Sequence, residues 1–306
     1  MEPILTVEML PAVGGDSGLR VCRARATYVD ADVRKTELGA GIAPDEALAR
    51  DKAVSEVVER LTMSASLRTR VITRAFVFDG SGRRDPTWES IEAPAPPMTD
   101  VSAAGCHLTR DAALSSAFVE AIELEHLAEW CRRSDQGTGI VAYDIDGIDD
   151  VGEGAPYRLV TSAGHTIILS WCQARRALPA VVCLALSGEA AYFYASSASG
   201  RTAGEAIGHA MLEIAKMVIV TQAFPVSAEA KAFQRDISGL PSWLRRRRPA
   251  LSMKEIIERL EAPPATWPPR QAFEHRAPWL AALGRHVVSV PLPGLDSSPP
   301  AWEWFA

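Results

Sequence analysis

Residues 102–123, SAAGCHLTRDAALSSAFVEAIE, carry the pattern on which much of this chain is built. Gly105 leads into a helix-like run with Ala113, Ala117 four residues later and Glu120 three after that. The same order recurs upstream as Gly41, Ala49, Ala53 and Glu56. It returns downstream as Gly200, Ala206, Ala210 and Glu213 in SGRTAGEAIGHAMLEIAKM. The spacing from first alanine to second to glutamate is identical in the three copies. Positions four and seven apart share one helix face, so each copy presents two small residues and a carboxylate in a line. Small residues there let a neighbouring element approach closely, and a recurrence of this kind sets the architecture.

Two copies carry a second glutamate one turn further on, Glu59 after Glu56 and Glu123 after Glu120. Carboxylates on adjacent turns repel one another unless cations are supplied. A single E-x-x-E is commonly a solvated helix face; its repetition in one alanine frame sets these two apart. Facing each other, two such helices would make a magnesium site, because magnesium takes hard oxygens and shares its shell with waters and substrate phosphates. The stretch LGAGIAPDEA, with Gly39 and Gly41, has neither the GK[ST] of a Walker loop nor GxGxxG spacing. Read as a turn, it offers free backbone N–H groups at a helix entrance, where the helix dipole favours phosphate.

The rest of the chain sets the class. With 306 residues, 47% hydrophobic and 23% charged, it can bury a sizeable core. A net charge of -6 disfavours a nucleic-acid partner. No basic segment followed by a long apolar run opens the chain, and no stretch approaches the roughly 20 apolar residues that cross a bilayer, so a cytoplasmic protein without a membrane partner is expected. Five cysteines without a C-x-x-C pair predict free thiols, and no zinc-like spacing supports Cys106-His107 as a metal site. Short β-branched runs read as strands: Arg20 to Tyr28, Val71 to Asp79, GIVAYDID, HTIILSWCQA, LPAVVCLAL, AAYFYASS and HVVSVPLPG. Interleaved with the three helices, they predict α/β or α+β layering. After Val218 come SWLRRRRPA, the helix candidate SMKEIIERLEA, the connector APPATWPPR, a short helix near Ala277 to Gly284, and the end SSPPAWEWFA. Solvated basic turns like Arg245 to Arg248 are common, and the terminal aromatics are expected to pack.

ELGAGIAPDEALARDKAVSEVVERL, ending in Glu56, Glu59 and Arg60, resembles the first motif of the YcaO family, a Gly-rich turn and helix with E-x-x-E-R. SAAGCHLTRDAALSSAFVEAIELEHLAEW resembles the second, matching at Glu120, Glu123, acidic Glu125 and Trp130. SGRTAGEAIGHAMLEIAKM is similar to the third, and VVSVPLPGLD to the closing strand and Pro-Gly turn. The likeness spans nearly the whole chain. It implies an α+β YcaO-like fold, a single domain over 1–306 with a motif-bearing core over 1–218 and a variable connector, strand and tail over 219–306. It also implies mixed sheets and glutamate-bearing helices around an ATP/Mg cleft.

The resemblance implies ATP and Mg2+ as cofactors, with Glu56, Glu59, Glu120 and Glu123 as magnesium ligands. Gly39, Gly41, Lys52, Arg60, His209 and Glu213 fall at the nucleotide-contacting positions. It implies no enzyme nucleophile: a substrate Cys, Ser or Thr, or external sulfide, attacks a backbone carbonyl, the oxyanion is phosphorylated, and loss of phosphate leaves an azoline or thioamide. The substrate would be a ribosomally made precursor peptide brought by a separate leader-binding or companion protein, and a homodimer is compatible with it. The sequence departs from the motifs at Ala40 for lysine, Lys52 for serine, Leu124 and His209 for arginine, and Met217 for glutamine. Two lost guanidiniums are lost directional phosphate donors. They motivate a second reading, a non-catalytic subunit that scaffolds a precursor peptide or pairs with an active homologue. A third is an ATP-using enzyme of another class.

Overall fold

The computed structural model describes residues 3–11, 18–30, 32–64, 102–134, 136–145, 154–173, 178–188, 192–246, 248–261, 270–292 and 294–295, together with the backbone of 72–79 and 87–91. In chain order the strands are β1 (Ile4–Met9), β2 (Arg20–Asp30), β3 (Val33–Ala43), β4 (Ile72–Asp79), β5 (Thr87–Ile91), β6 (Ser102–His107), β7 (Ile140–Ile145), β8 (His165–Cys172), β9 (Ala180–Ser187), β10 (Tyr192–Ser199), β11 (Arg235–Asp236), β12 (Ala250–Leu251), β13 (Arg270–Arg276) and β14 (His286–Pro291). The helices are α1 (Glu46–Met63), α2 (Arg110–Ser134), α3 (Gly154–Ser162), α4 (Ala203–Ala223), α5 (Ala228–Phe233), α6 (Ser242–Arg245), α7 (Met253–Leu260) and α8 (Pro278–Ala282).

Two compact units share the chain: Met1–Leu10, Arg20–Ala121 and Thr266–Asp296 form one, and Pro11–Leu19, Ile122–Ala265 and Ser297–Ala306 the other. Helix α2 begins in the first unit and continues into the second.

The first unit holds an antiparallel sheet ordered β1-β2-β3 and a second ordered β5-β4-β13-β14-β6. In β2, Cys22, Ala24, Ala26 and Tyr28 point one way and are buried, the period of two that a half-covered strand requires. They meet Ala49, Ala53, Val57 and Leu61, a four-residue stripe along α1, in a core that also takes in Cys106, Leu280 and Val287. Helix α1 starts where the Asp45 carboxylate accepts the Leu48 N–H at 2.9 Å, has Glu46 in its first turn and ends with Arg60 in its last, in accord with the helix dipole. Asp32, at φ 67°, turns the β2–β3 hairpin, a position that an aspartate tolerates.

The second unit is built on a sheet ordered β11-β10-β9-β8-β7-β12, antiparallel except for the β7–β12 pair. Strands β8 and β9 lie inside it and are buried almost throughout. Trp130 fills the core, its indole N–H donating to Ser170 Oγ at 2.8 Å, and Ser170 donates in turn to the Val141 carbonyl at 2.7 Å, so the buried indole N–H is satisfied. All five cysteines are free and buried. Among the described residues no helix is long and apolar enough to cross a membrane.

Candidate functional site

Gly39 and Gly41 do not form a turn. They lie within β3, opposite Ala24 and Cys22 of β2, and their lack of a side chain serves packing. A Cβ on Gly41 would stand 2.1 Å from the Ala49 carbonyl oxygen and 2.5 Å from the Ala53 nitrogen. One on Gly39 would stand 2.6 Å from the Ala53 oxygen. Gly105 repeats the arrangement in β6, where a Cβ would lie 2.4 Å from the Ala113 oxygen and 2.6 Å from the Ala117 nitrogen. The glycine and the two alanines of each of these copies are therefore the two sides of one strand-to-helix contact. The phosphate-greeting helix entrance expected after Gly41 is also corrected, because the Asp45 carboxylate takes that place at the start of α1.

Such close approach brings the next residue in the frame, the glutamate, to the strand's own backbone. Glu56 Oε2 accepts the N–H of Ala40 at 2.8 Å, and Glu120 Oε2 accepts the N–H of Ala104 at 2.9 Å. Each alanine stands immediately before the packed glycine. Among the described residues β3 and β6 end their sheets, and there a carboxylate accepts the outward N–H groups of Ala40 and Ala104. The second glutamate of each pair reaches to the strand of the following copy: Glu59 Oε1 accepts the Cys106 N–H at 2.6 Å, and Glu123 Oε1 accepts the Ser197 hydroxyl at 2.6 Å.

Charge is crowded around Glu59. Burial pushes its carboxyl well above the usual range, the charge of Glu120 adds to this, and the Cys106 N–H opposes it. Glu120 is pushed up to about 7, mainly by burial, with the Ala104 N–H opposing and Glu56 reinforcing. The four glutamates all retain some accessible surface, so protein atoms desolvate Glu59 and Glu120 without sealing them from water. Carboxylates shifted in this way cluster at functional sites and in structural charge networks. Among the described residues no group of three or more His, Cys, Asp or Glu side chains is placed to hold a metal ion. A magnesium ion would draw the rest of its shell from water and phosphate, as it commonly does.

The cationic candidates are committed to protein partners. Arg60 pairs with Glu56 Oε1 at 2.6 Å, and Lys52, on the exposed side of α1, directs its Nζ to the Ile42 carbonyl at 3.3 Å. His209 is exposed on α4. Glu213 is salt-bridged at 2.5 Å to Lys216, which is only 7% exposed. The Cys106 thiol is pushed up to about 12, mainly by burial, so it stands as the neutral thiol at neutral pH. His126 accepts the Cys172 N–H at 3.2 Å and His275 shares a 2.7 Å hydrogen bond with Ser289, both structural roles. Arg248 stacks on Trp243 and donates to its carbonyl at 3.2 Å, holding the unit rather than a ligand. The terminal AWEWFA lies outside the described residues.

Two residues of this arrangement were not foreseen, Ser197 and Lys216, and the frame itself contains them. Ala40 and Ala104 stand sixteen residues before their glutamates, and sixteen before Glu213 stands Ser197. Lys216 occupies in the third copy the place of Glu59 and Glu123.

No sequence-family profile matches this chain, and no curated protein matches it. Solved structures do. YcaO from Methanopyrus kandleri, bound with AMPPCP and Mg2+, aligns over 96% of this chain and 86% of its own, with a TM-score of 0.58 at 12% identity. A heterocyclase in complex with substrate and cofactor aligns over 98% of this chain with a TM-score of 0.62, again at 12% identity. This chain spans about half of the heterocyclase, 52% of its length. The chain has an α+β YcaO-like fold.

Proposed function

We propose that this protein binds ATP with magnesium and activates backbone amides of a ribosomally made precursor peptide, leaving an azoline or a thioamide. The observation that carries this reading is the carboxylate group Glu56, Glu59 and Glu120. Each is aimed by a backbone N–H, and burial, reinforced by the neighbouring carboxylates, holds Glu59 and Glu120 at raised pKa. The donors fit magnesium: they are hard oxygens, desolvated and mutually repelling, and they keep accessible surface. Glu56, Glu59 and Glu120 would share it with water and phosphate oxygens. Bound magnesium supplies neutralisation of phosphate charge. The chain's own part is orientation. Backbone N–H groups fix one oxygen of each carboxylate, so the ligands are ordered before any ion arrives. The likeness to a YcaO carrying AMPPCP and Mg2+ supports the reading at the level of fold. A companion protein would deliver the peptide, and the chemistry requires no enzyme nucleophile, in keeping with the neutral Cys106 thiol.

A second reading has an observation of its own. Arg60, Lys52 and Lys216 are each engaged by protein acceptors, which favours a non-catalytic subunit that presents a peptide or pairs with an active homologue. Phosphate release from ATP and Mg2+, measured with and without a pool of Cys-, Ser- and Thr-containing peptides, separates the two. Peptide-dependent release that disappears in Glu120→Gln supports turnover. No release with any peptide, and ATP bound weakly or not at all, supports the non-catalytic subunit.

A further inference from the structure

Past helix α8, Gly284 takes a φ of 62°, the left-handed conformation that glycine enters freely. Its N–H bonds the Ala281 carbonyl and the Arg285 N–H bonds the Leu280 carbonyl, both at 3.0 Å, a closed turn that commonly ends a helix. Arg285 leaves this turn in a fixed direction, and its side chain lies against α1. The guanidinium is salt-bridged to Asp51 and donates from Nη1 to Ser55 Oγ at 3.1 Å. Only 8% of the Arg285 side chain is exposed, and its Nε is buried without an acceptor among the described residues. A buried pair of this kind contributes little net stability, because desolvation offsets the attraction and an unpaired N–H adds a cost. What it fixes is register.

Asp51, Ser55 and Glu59 are spaced by four along α1 and share a face. Arg285 grips the first two, and the third accepts the Cys106 N–H at 2.6 Å. The two grips meet the same strand pair, since Val287, two residues after Arg285, stands opposite Cys106 in the pairing of β14 with β6. The charges that act on Glu59 are those of Glu120, Glu56 and Arg60. Arg285 therefore reaches Glu59 through the helix and not through its own charge. We propose that Arg285 is a positioning residue that holds α1 in the register at which Glu59 meets Cys106, and thereby orders one carboxylate of the magnesium group. The ordering of a metal ligand rests on the magnesium reading above; the register does not.

Two measurements on the full chain test it, with thermal melting to confirm folding: Mn2+ affinity by electron paramagnetic resonance, and exchange of the Cys106 amide proton by NMR. Arg285→Lys keeps a charge for Asp51 but loses the fork that also reaches Ser55. In it, Cys106 exchange quickens and Mn2+ binding weakens about tenfold, as for other groups that orient metal ligands. Added to Glu59→Gln, the same substitution causes no further loss of Mn2+ affinity. Ser55→Ala, which a helix accepts readily, decides the matter if Arg285→Lys does not fold, and Cys106 exchange quickens there as well. A folded variant of either kind with wild-type exchange at Cys106 overturns the proposal, as does an Arg285→Lys with wild-type Mn2+ affinity. The magnesium reading fails separately: wild type then binds no Mn2+ while Cys106 exchange still quickens in Arg285→Lys. If instead Mn2+ binding is lost in Glu120→Gln and Arg285→Lys changes neither quantity, the magnesium reading stands and the role of Arg285 falls.

Discussion

The Glu59 carboxylate accepts the backbone N–H of Cys106 at 2.6 Å, so a side chain of α1 closes the edge of a strand 47 residues further along the chain. The contact satisfies an edge donor that would otherwise need water or another strand, and it places beside Glu120 a carboxylate whose pKa is raised by burial and further by the Glu120 charge. Structural closure of the strand edge and the accumulation of negative charge are one arrangement.

The pH dependence of stability follows from Glu120. Its folded pKa, about 7, lies above the ordinary carboxylate value of 4.5. The unfolded chain therefore ionises first, and the folded state loses stability as pH rises from about 4.5 through about 7, with the full penalty above that. By linkage the loss is on the order of a few kcal/mol. Calorimetric melting of the metal-free protein is expected to give a higher Tm at pH 6 than at pH 8, with the slope reduced in Glu120→Gln. A Tm that rises over this range in wild type contradicts the assignment.

Magnesium should act in the opposite sense. A cation that offsets the repulsion among Glu56, Glu59 and Glu120 stabilises most where they are most ionised. Adding Mg2+ is expected to raise Tm more at pH 8 than at pH 6, and the difference should vanish in Glu59→Gln. Equal shifts at the two pH values would place the ion elsewhere.

Gly41→Ala tests the strand-to-helix contact. Its Cβ would fall 2.1 Å from the Ala49 oxygen, backbone that cannot swing aside. Overpacking on this scale costs about 3 kcal/mol or more, so a large fall in Tm or loss of folded protein is expected. Gly105→Ala should do the same, since its Cβ meets the Ala113 oxygen at 2.4 Å.

Ser197→Ala removes the hydroxyl held by Glu123 at 2.6 Å. A hydrogen bond to an ionised group contributes about 1.5–3 kcal/mol, and Glu123 keeps accessible surface, so a loss near the lower end is expected in urea unfolding, with the m-value unchanged.

The parts of the fold that sequence reading recovers are those with strong periodicity. Strands β2, β8, β9 and β14 show β-branched or alternating apolar runs, and α7 opens on the Ser252–Glu255 capping box. Strands β3 and β6 escape it because their cores, LGAGIA and SAAGCH, are small-residue stretches that imitate turns. Their glycines are selected by the approach of α1 and α2, a tertiary contact with no local signature. The carboxylates were legible because they recur in register. Ser197 has no glycine to mark it, since the place equivalent to Gly41 is held by Ala198, buried in β10, and Gly200 lies two residues further on. Lys216 has no local signature, because its burial and its pairing with Glu213 arise from packing.

Isothermal titration of the full chain with ATP in the presence and absence of Mg2+, repeated on Glu56→Gln and Glu120→Gln, tests the central claim most directly. Both variants keep a side-chain oxygen for the Ala40 and Ala104 N–H groups, so the fold is retained while the charge is lost. The account predicts magnesium-dependent ATP binding in wild type, weakened at least tenfold in each variant, a change of about 1.4 kcal/mol or more. Binding that needs no Mg2+, or that is the same in wild type and both variants, contradicts it.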